Sequence, residues 1–135
     1  MRLQYLLDTN TVSYAIQGYS IPLRARMDST ANASMALSAF TQAELLYGLA
    51  QKPEAKKLRS AVEKFLRDLR ILSWDSAAAT AYGDLRASQE SKGRPLSHED
   101  LMIAAHALAL GLTLVTHDQV FAFVDGLKTE DWTIA

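Results

Sequence analysis

At 135 residues with a formal net charge of −1, the chain is long enough for one domain with its own core, yet it carries no global basic field of the kind that advertises nucleic-acid binding. With 49% apolar residues and no cysteine, it falls outside the disordered range and excludes disulfides, thiolate zinc sites and cysteine nucleophiles. The acid at position 8 interrupts the N-terminus before a signal-peptide core forms, and no apolar run reaches the ~20 residues of a membrane span, so a cytoplasmic protein with no membrane segment is expected.

Leu3 to Leu7 predicts a short buried strand, ended by Asp8-Thr9-Asn10, residues that favour turns and helix N-caps. A helix from about Thr11 stops at Gly18, and Pro22 opens a second. Met35 to Ser38 predicts another buried strand, followed by a helix capped by Thr41 that carries Ala43, Leu46, Tyr47 and Leu49 on one side. Pro53 is expected to open a long amphipathic helix, with Leu58, Val62, Phe65, Leu66 and Leu69 recurring at spacings of three and four. Arg70 to Trp74 predicts a third strand. Asp75 and Ser76 start an alanine-rich helix that runs to about Gly93. Gly93-Arg94-Pro95 is the clearest loop, Ser97 caps a helix to Leu110, and Gly111 ends it. Leu112 to Thr116 predicts a fourth strand, and a last one is expected between Leu127 and Ile134. Strands alternating with helices imply βαβ units and a mainly parallel sheet with helices on both faces, whose ligands collect at the strands' carboxyl ends.

Four carboxylates, Asp8, Glu44, Asp100 and Asp118, stand where an apolar run ends or a helix begins. Each has an innocent alternative as a helix cap, a dipole partner or a turn residue. Asp8 and Glu44, however, sit among apolar neighbours, where a charge is costly unless paired, and no Lys or Arg lies between Arg26 and Lys52. Brought together, the four would form an oxygen-only pocket for Mg²⁺ or Mn²⁺. His98, His106 and His117 lack the i, i+4 spacing of a helical zinc pair; His106 is expected to be a surface or hydrogen-bond-satisfied helix residue. Charge is also segregated: Lys52 to Arg94 holds ten Lys/Arg against six acids, the remainder four against nine. That basic stretch is either the solvated face of an amphipathic helix or a phosphate-tracking rim.

Leu-Leu-Asp-Thr-Asn at 6 to 10, Ala-Glu-Leu-Leu-Tyr-Gly-Leu at 43 to 49, Asp-Leu-Met-Ile-Ala-Ala-His-Ala at 100 to 107, Leu-Val-Thr-His-Asp at 114 to 118 and Gly-Leu-x-x-Glu-Asp-Trp at 126 to 132 occur in order over nearly the whole chain. Together they resemble PIN-domain ribonucleases of the VapC toxin type. The resemblance implies a single PIN domain over residues 1–135, a three-layer α/β/α sandwich with a mainly parallel sheet of four to five strands, and an Mg²⁺- or Mn²⁺-dependent endoribonuclease. Asp8 and Asp100 would hold the first ion, Glu44 would ligate it or orient its water, and Asp118 would help recruit a second; Asn10 and Thr116 match polar positions that shape such sites from behind. Toxins of this type often read Thr-Asn-Asn where this chain has Thr116-His117-Asp118, which makes Asp118 the least secure ligand. The resemblance further implies a small antitoxin whose C-terminal segment lies in the active-site groove, a homodimer, and an RNA substrate that in some relatives is initiator tRNA. Tyr14, Tyr19, Phe40 and Tyr47 give the partner surfaces modest support, being exposed-looking positions of residue types more often found in cores. The rival readings are a catalytically silent binding module and a metal-dependent nuclease acting on DNA.

Overall fold

A computed structural model describes residues 2–134. Five short strands, β1 (Tyr5–Leu7), β2 (Met35–Ser38), β3 (Arg70–Leu72), β4 (Thr113–Val115) and β5 (Thr129–Glu130), alternate with six helices: α1 (Thr9–Gln17), α2 (Ile21–Asp28), α3 (Ala39–Gln51), α4 (Lys56–Asp68), α5 (Ser76–Ser91) and α6 (His98–Leu110). The strands pair in the order β3-β2-β1-β4-β5, every pairing parallel. The chain therefore builds outward from β1 in one direction through β2 and β3, then crosses back to add β4 and β5 on the other edge. That reversal between β1 and β4 is where open parallel sheets place their ligands.

Successive strand residues point to opposite faces, and the two faces are separate cores. Leu6, Ala36 and Leu114 pack with Leu85 of α5 and Leu101, Ile103 and Ala104 of α6. Their neighbours Leu7, Leu37 and Val115 pack with Val12, Leu23, Leu45, Leu49 and Val62 of α1 to α4. Because both sides of the sheet are covered, the strands read as unbroken apolar runs. At the β5 edge the Arg26 guanidinium lies 4.7 Å from the Trp132 ring centroid and bonds Glu130 at 3.1 Å, fastening α2 to the last strand. No helix among the described residues is long and apolar enough to cross a membrane.

The expected order of elements holds, with shifted boundaries. Helix α3 starts at Ala39 with Ser38 as its cap, not Thr41; Ser38 Oγ accepts the Phe40 N–H at 3.0 Å, and Thr41 is buried in the first turn. The buried face of α3 carries Thr41, Leu45 and Leu49, whereas Leu46 and Tyr47 are exposed. Pro53 lies in the turn before α4, which begins three residues later without a side-chain cap. Helix α1 begins at Thr9 rather than Thr11, directly on the Asp8 cap. Strand β3 ends at Leu72, leaving Trp74 to bond the Met102 carbonyl through Nε1 at 2.9 Å.

Candidate active site

Asp8 follows β1 and is almost buried, at 6% exposure. Its Oδ1 accepts the Thr11 N–H at 2.8 Å, which caps α1 and fixes the carboxyl's orientation. Thr116, at the end of neighbouring β4, also hydrogen-bonds the Asp8 carboxyl through its side chain, and its Oγ1 accepts the Asp118 N–H at 3.0 Å. One buried threonine thus joins the backbone of one acid to the carboxylate of another.

Glu44 comes from α3, and its Oε1 lies 2.5 Å from the Thr9 hydroxyl, which is also 3.2 Å from Thr41 Oγ1. A hydroxyl has one proton, so the shorter, charge-assisted contact to the carboxylate takes it. Asp100 occupies the first turn of α6, where its N–H bonds the Ser97 cap at 3.1 Å. Helix α6 starts at the same rim as β1's end, so the loop 92–97 delivers Asp100 opposite Asp8.

These residues enclose a cleft of about 100 Å³. Asp8, Glu44 and Asp100 supply its carboxylates together with Glu99; Phe40, Ile103 and Phe121 form its apolar walls, and Thr9 and Asn10 complete the lining. Asn10 therefore stands on the cleft surface itself instead of behind a ligand. Asp118 does not line the cleft. It is exposed and its Oδ1 accepts the Val120 N–H at 3.0 Å, capping a 3-10 turn that carries Phe121. Its charge is still felt inside. Burial, with a further push from Asp118, raises the Asp8 pKa; burial, followed by Asp118, Asp8 and Glu99, raises that of Asp100. Glu99 and Phe121 were not among the residues singled out from sequence, and Phe40 was singled out only as partner surface; the doubled acid at the start of α6 was the available signal for Glu99.

No Lys or Arg ion pair among the described residues involves these acids. Arg26, Lys64, Arg86 and Lys92, for example, find Glu130, Asp68, Glu90 and Asp125 elsewhere. The cleft is consequently a hard-oxygen donor set with a surplus of negative charge. Among the described residues, no three His, Asp or Glu side chains stand close enough together to hold a metal ion between them; Mg²⁺ needs only one or two carboxylates, its other ligands being water. The histidines stand apart: His117 bonds Asp131 at 2.9 Å, and His106 is buried against Ser38 at 2.8 Å.

With this rim in view, the likeness to known proteins is specific. The family model for the PIN domain matches residues 5–127. The chain belongs to the PIN-domain family. Within that family it is similar to the "tRNA(fMet)-specific endonuclease VapC" of Shigella flexneri, 36% identical over 132 residues that make up 97% of this chain and 99% of the relative. Among solved structures it resembles DNA-bound VapBC from Salmonella typhimurium, with a TM-score of 0.89, 34% identity and coverage of 96% of this chain and 98% of that one. VapBC2 from Rickettsia felis, bound to a DNA fragment from its promoter, matches with a TM-score of 0.87 and 32% identity over 95% and 98% of the two chains. These matches run end to end, so the PIN assignment covers the α/β/α sandwich and the cleft together.

Proposed function

We propose that this protein is an endoribonuclease of the VapC toxin type that hydrolyses RNA phosphodiester bonds at the Asp8 cleft with Mg²⁺ or Mn²⁺. The observation that carries the reading is one cleft, at the sheet's reversal point, lined by Asp8, Glu44, Glu99 and Asp100, with no Lys or Arg among the described residues ion-paired to them. Such a charge surplus is relieved by a divalent ion. Asp8 and Asp100 would hold it, Glu44 would ligate it or orient water, and Asp118, from the rim, would help attract a second ion. A divalent ion bound there would supply Lewis-acid activation of water and offset charge developing on the phosphate. The chain's own contribution is orientation: Thr116 and the Thr11 N–H fix the Asp8 carboxyl, and Thr9 fixes that of Glu44.

One domain spans the chain, and the protein works in the cytoplasm. Its partner is a small VapB-type antitoxin. A second depression of about 180 Å³, lined by Ser13, Leu45, Leu58 and Val62, shares Thr9 and Glu44 with the cleft and offers a partner segment an approach to the carboxylates. Exposed Tyr19, Ile21 and Tyr47 supply apolar surface for antitoxin and homodimer contacts. By analogy with the Shigella relative, initiator tRNA is the first substrate to test.

The test incubates RNA and DNA oligonucleotides, initiator tRNA and an elongator tRNA with the protein in Mn²⁺, in Mg²⁺ and in EDTA. RNA cleavage that requires the metal and falls by more than about 100-fold in Asp8→Asn is expected. Undiminished cleavage by that variant would remove the central claim, and equal cleavage of DNA would replace the RNA reading.

A further inference from the structure

Three residue positions apart along α6, Asp100, Ile103 and His106 form a stripe that descends from the cleft into the protein. Asp100 and Ile103 line the cleft, and His106 lies beneath it, 1% exposed. Its Nδ1 is 2.8 Å from the hydroxyl of Ser38, a residue with no exposed surface. Ser38 is at once the last residue of β2, paired there with Leu72 of β3, and the N-cap of α3. The imidazole also hydrogen-bonds the backbone of Ser73, just past the end of β3. One buried ring therefore joins α6 to the carboxyl ends of two strands and to the first turn of α3.

We propose that His106 is a positioning residue for the nuclease site, holding α3 against α6 through Ser38 and so setting the placement of Glu44 relative to Asp100. The inference rests on the nuclease reading above only for its kinetic consequence. The hydrogen-bond accounting fixes the geometry. Ser38 Oγ already accepts the Phe40 N–H at 3.0 Å. Its own proton, buried, needs an acceptor, and Nδ1 is the one in reach. The ring then carries its hydrogen on Nε2, directed to the Ser73 backbone. In that arrangement the imidazole is neutral, accepts on one side and donates on the other, and cannot rotate without losing both bonds. Glu44 lies six positions after Ser38 and His106 six positions after Asp100, so a small tilt at this joint moves both carboxylates. Neither His106 nor Ser38 touches the cleft, which distinguishes this role from catalysis.

Amide side chains separate the two bonds. In His106→Asn, Oδ1 replaces Nδ1 and keeps the Ser38 contact; in His106→Gln, the amide reaches only toward Ser73; in His106→Phe, both are lost. The expected result for Phe is a kcat at least tenfold lower with KM for RNA within twofold, and at least tenfold faster hydrogen exchange at the Phe40 and Glu44 amides. Asn should restore both to within threefold of wild type, and Gln should not. A Phe variant with wild-type kcat and exchange, or Asn and Phe variants that behave alike, would overturn the proposal. Nitrogen-15 NMR of the unsubstituted protein at pH 7 must show His106 with Nδ1 unprotonated, and the opposite tautomer overturns it even if a variant fails to fold. The exchange and NMR measurements need no cleavage, so a protein that shows the tethered ring but no ribonuclease activity would refute the nuclease reading while leaving the joint intact.

Discussion

The Asp8 carboxyl caps α1 through Oδ1 and is nearly buried beside other acids, so its helical role favours the site while its charge opposes it. Burial first, and then Asp118, raise its folded pKa above the unfolded value. For a carboxyl shifted in that direction the folded state holds more protons between the two values; stability falls as pH rises through that window, and the loss is complete above the folded pKa. Asparagine caps a helix as well as aspartate does and carries no charge. In EDTA at pH 7, Asp8→Asn is therefore expected to melt a few degrees above the parent chain, on the order of 3 °C for about 1 kcal/mol in a domain of this size. The gap should narrow as pH is lowered toward about 4, where the unfolded carboxyl also protonates. Calorimetric scans across pH decide this, and an unchanged or lower melting point at pH 7 would contradict it. Thr116 supplies a second residue-scale expectation: Thr116→Val removes both the bond to Asp8 and the acceptor for the Asp118 N–H, and should lower kcat about tenfold while costing roughly 1 kcal/mol of stability, read by cleavage kinetics and urea melts. Asp8 was legible in sequence because a charge ending an apolar strand needs a reason. Glu99 was not, because an acid in the first turn of a helix is already explained by the dipole.

Among the elements, boundaries are set by the residue that satisfies the orphan N–H groups, and here proximity misleads. Thr41 looks like the cap of α3 because Ser38 is already counted in the strand and Ala39 and Phe40 carry no capping side chain; Ser38 instead serves both elements, which leaves Thr41 buried near the Thr9 hydroxyl. The cap is offset by three residues, and the buried stripe is Thr41, Leu45 and Leu49 at spacings of four, with Leu46 and Tyr47 out to solvent. Pro53 similarly signals a helix start that belongs to Lys56. The end of α6 was legible without error, since Gly111 adopts φ 67° and a C-terminal left-handed residue favours glycine for a steric reason independent of tertiary contacts. Nothing surrounds the position where a Cβ would lie, so Gly111→Ala pays only the backbone strain, about 1 kcal/mol or somewhat more. Denaturant unfolding should show that loss with cleavage per folded molecule unchanged, because α6 holds Asp100 at its other end. A loss of kcat comparable to that of Thr116→Val would mean that the helix transmits its C-terminal strain to the site.

Across the whole molecule, the sheet order places the acids and the basic residues on adjoining ground. The reversal between β1 and β4 collects Asp8, Thr116 and Asp118 at one rim, while α4, against the opposite core, carries Lys56, Lys57, Arg59, Lys64 and Arg67 around an apolar seam of Leu58 and Val62. That seam lines the depression that shares Thr9 and Glu44 with the cleft, so the N-terminal part of α4 flanks the approach to the carboxylates. Lys64 and Arg67 are engaged by Asp68, which leaves Lys56, Lys57 and Arg59 outside the ion pairs found among the described residues; of these, Lys57 and Arg59 flank Leu58 in sequence and are the two chosen to test contact with a phosphate backbone. A net charge of −1 argues that the molecule as a whole does not draw RNA from a distance, so whatever affinity it has must come from such local groups and must fade with salt. The expected outcome is a KM for RNA that rises steeply between about 50 and 200 mM KCl with kcat nearly constant. The double variant Lys57→Glu/Arg59→Glu should raise KM roughly tenfold at low salt and flatten that salt dependence, since two phosphate contacts and their counterions are lost together. Arg70→Glu, exposed on the far edge strand β3, controls for net charge with a change of −2 against −4 for the α4 pair: if it raises log KM by half as much as the pair does, the rim has no local role and RNA reads only the total charge.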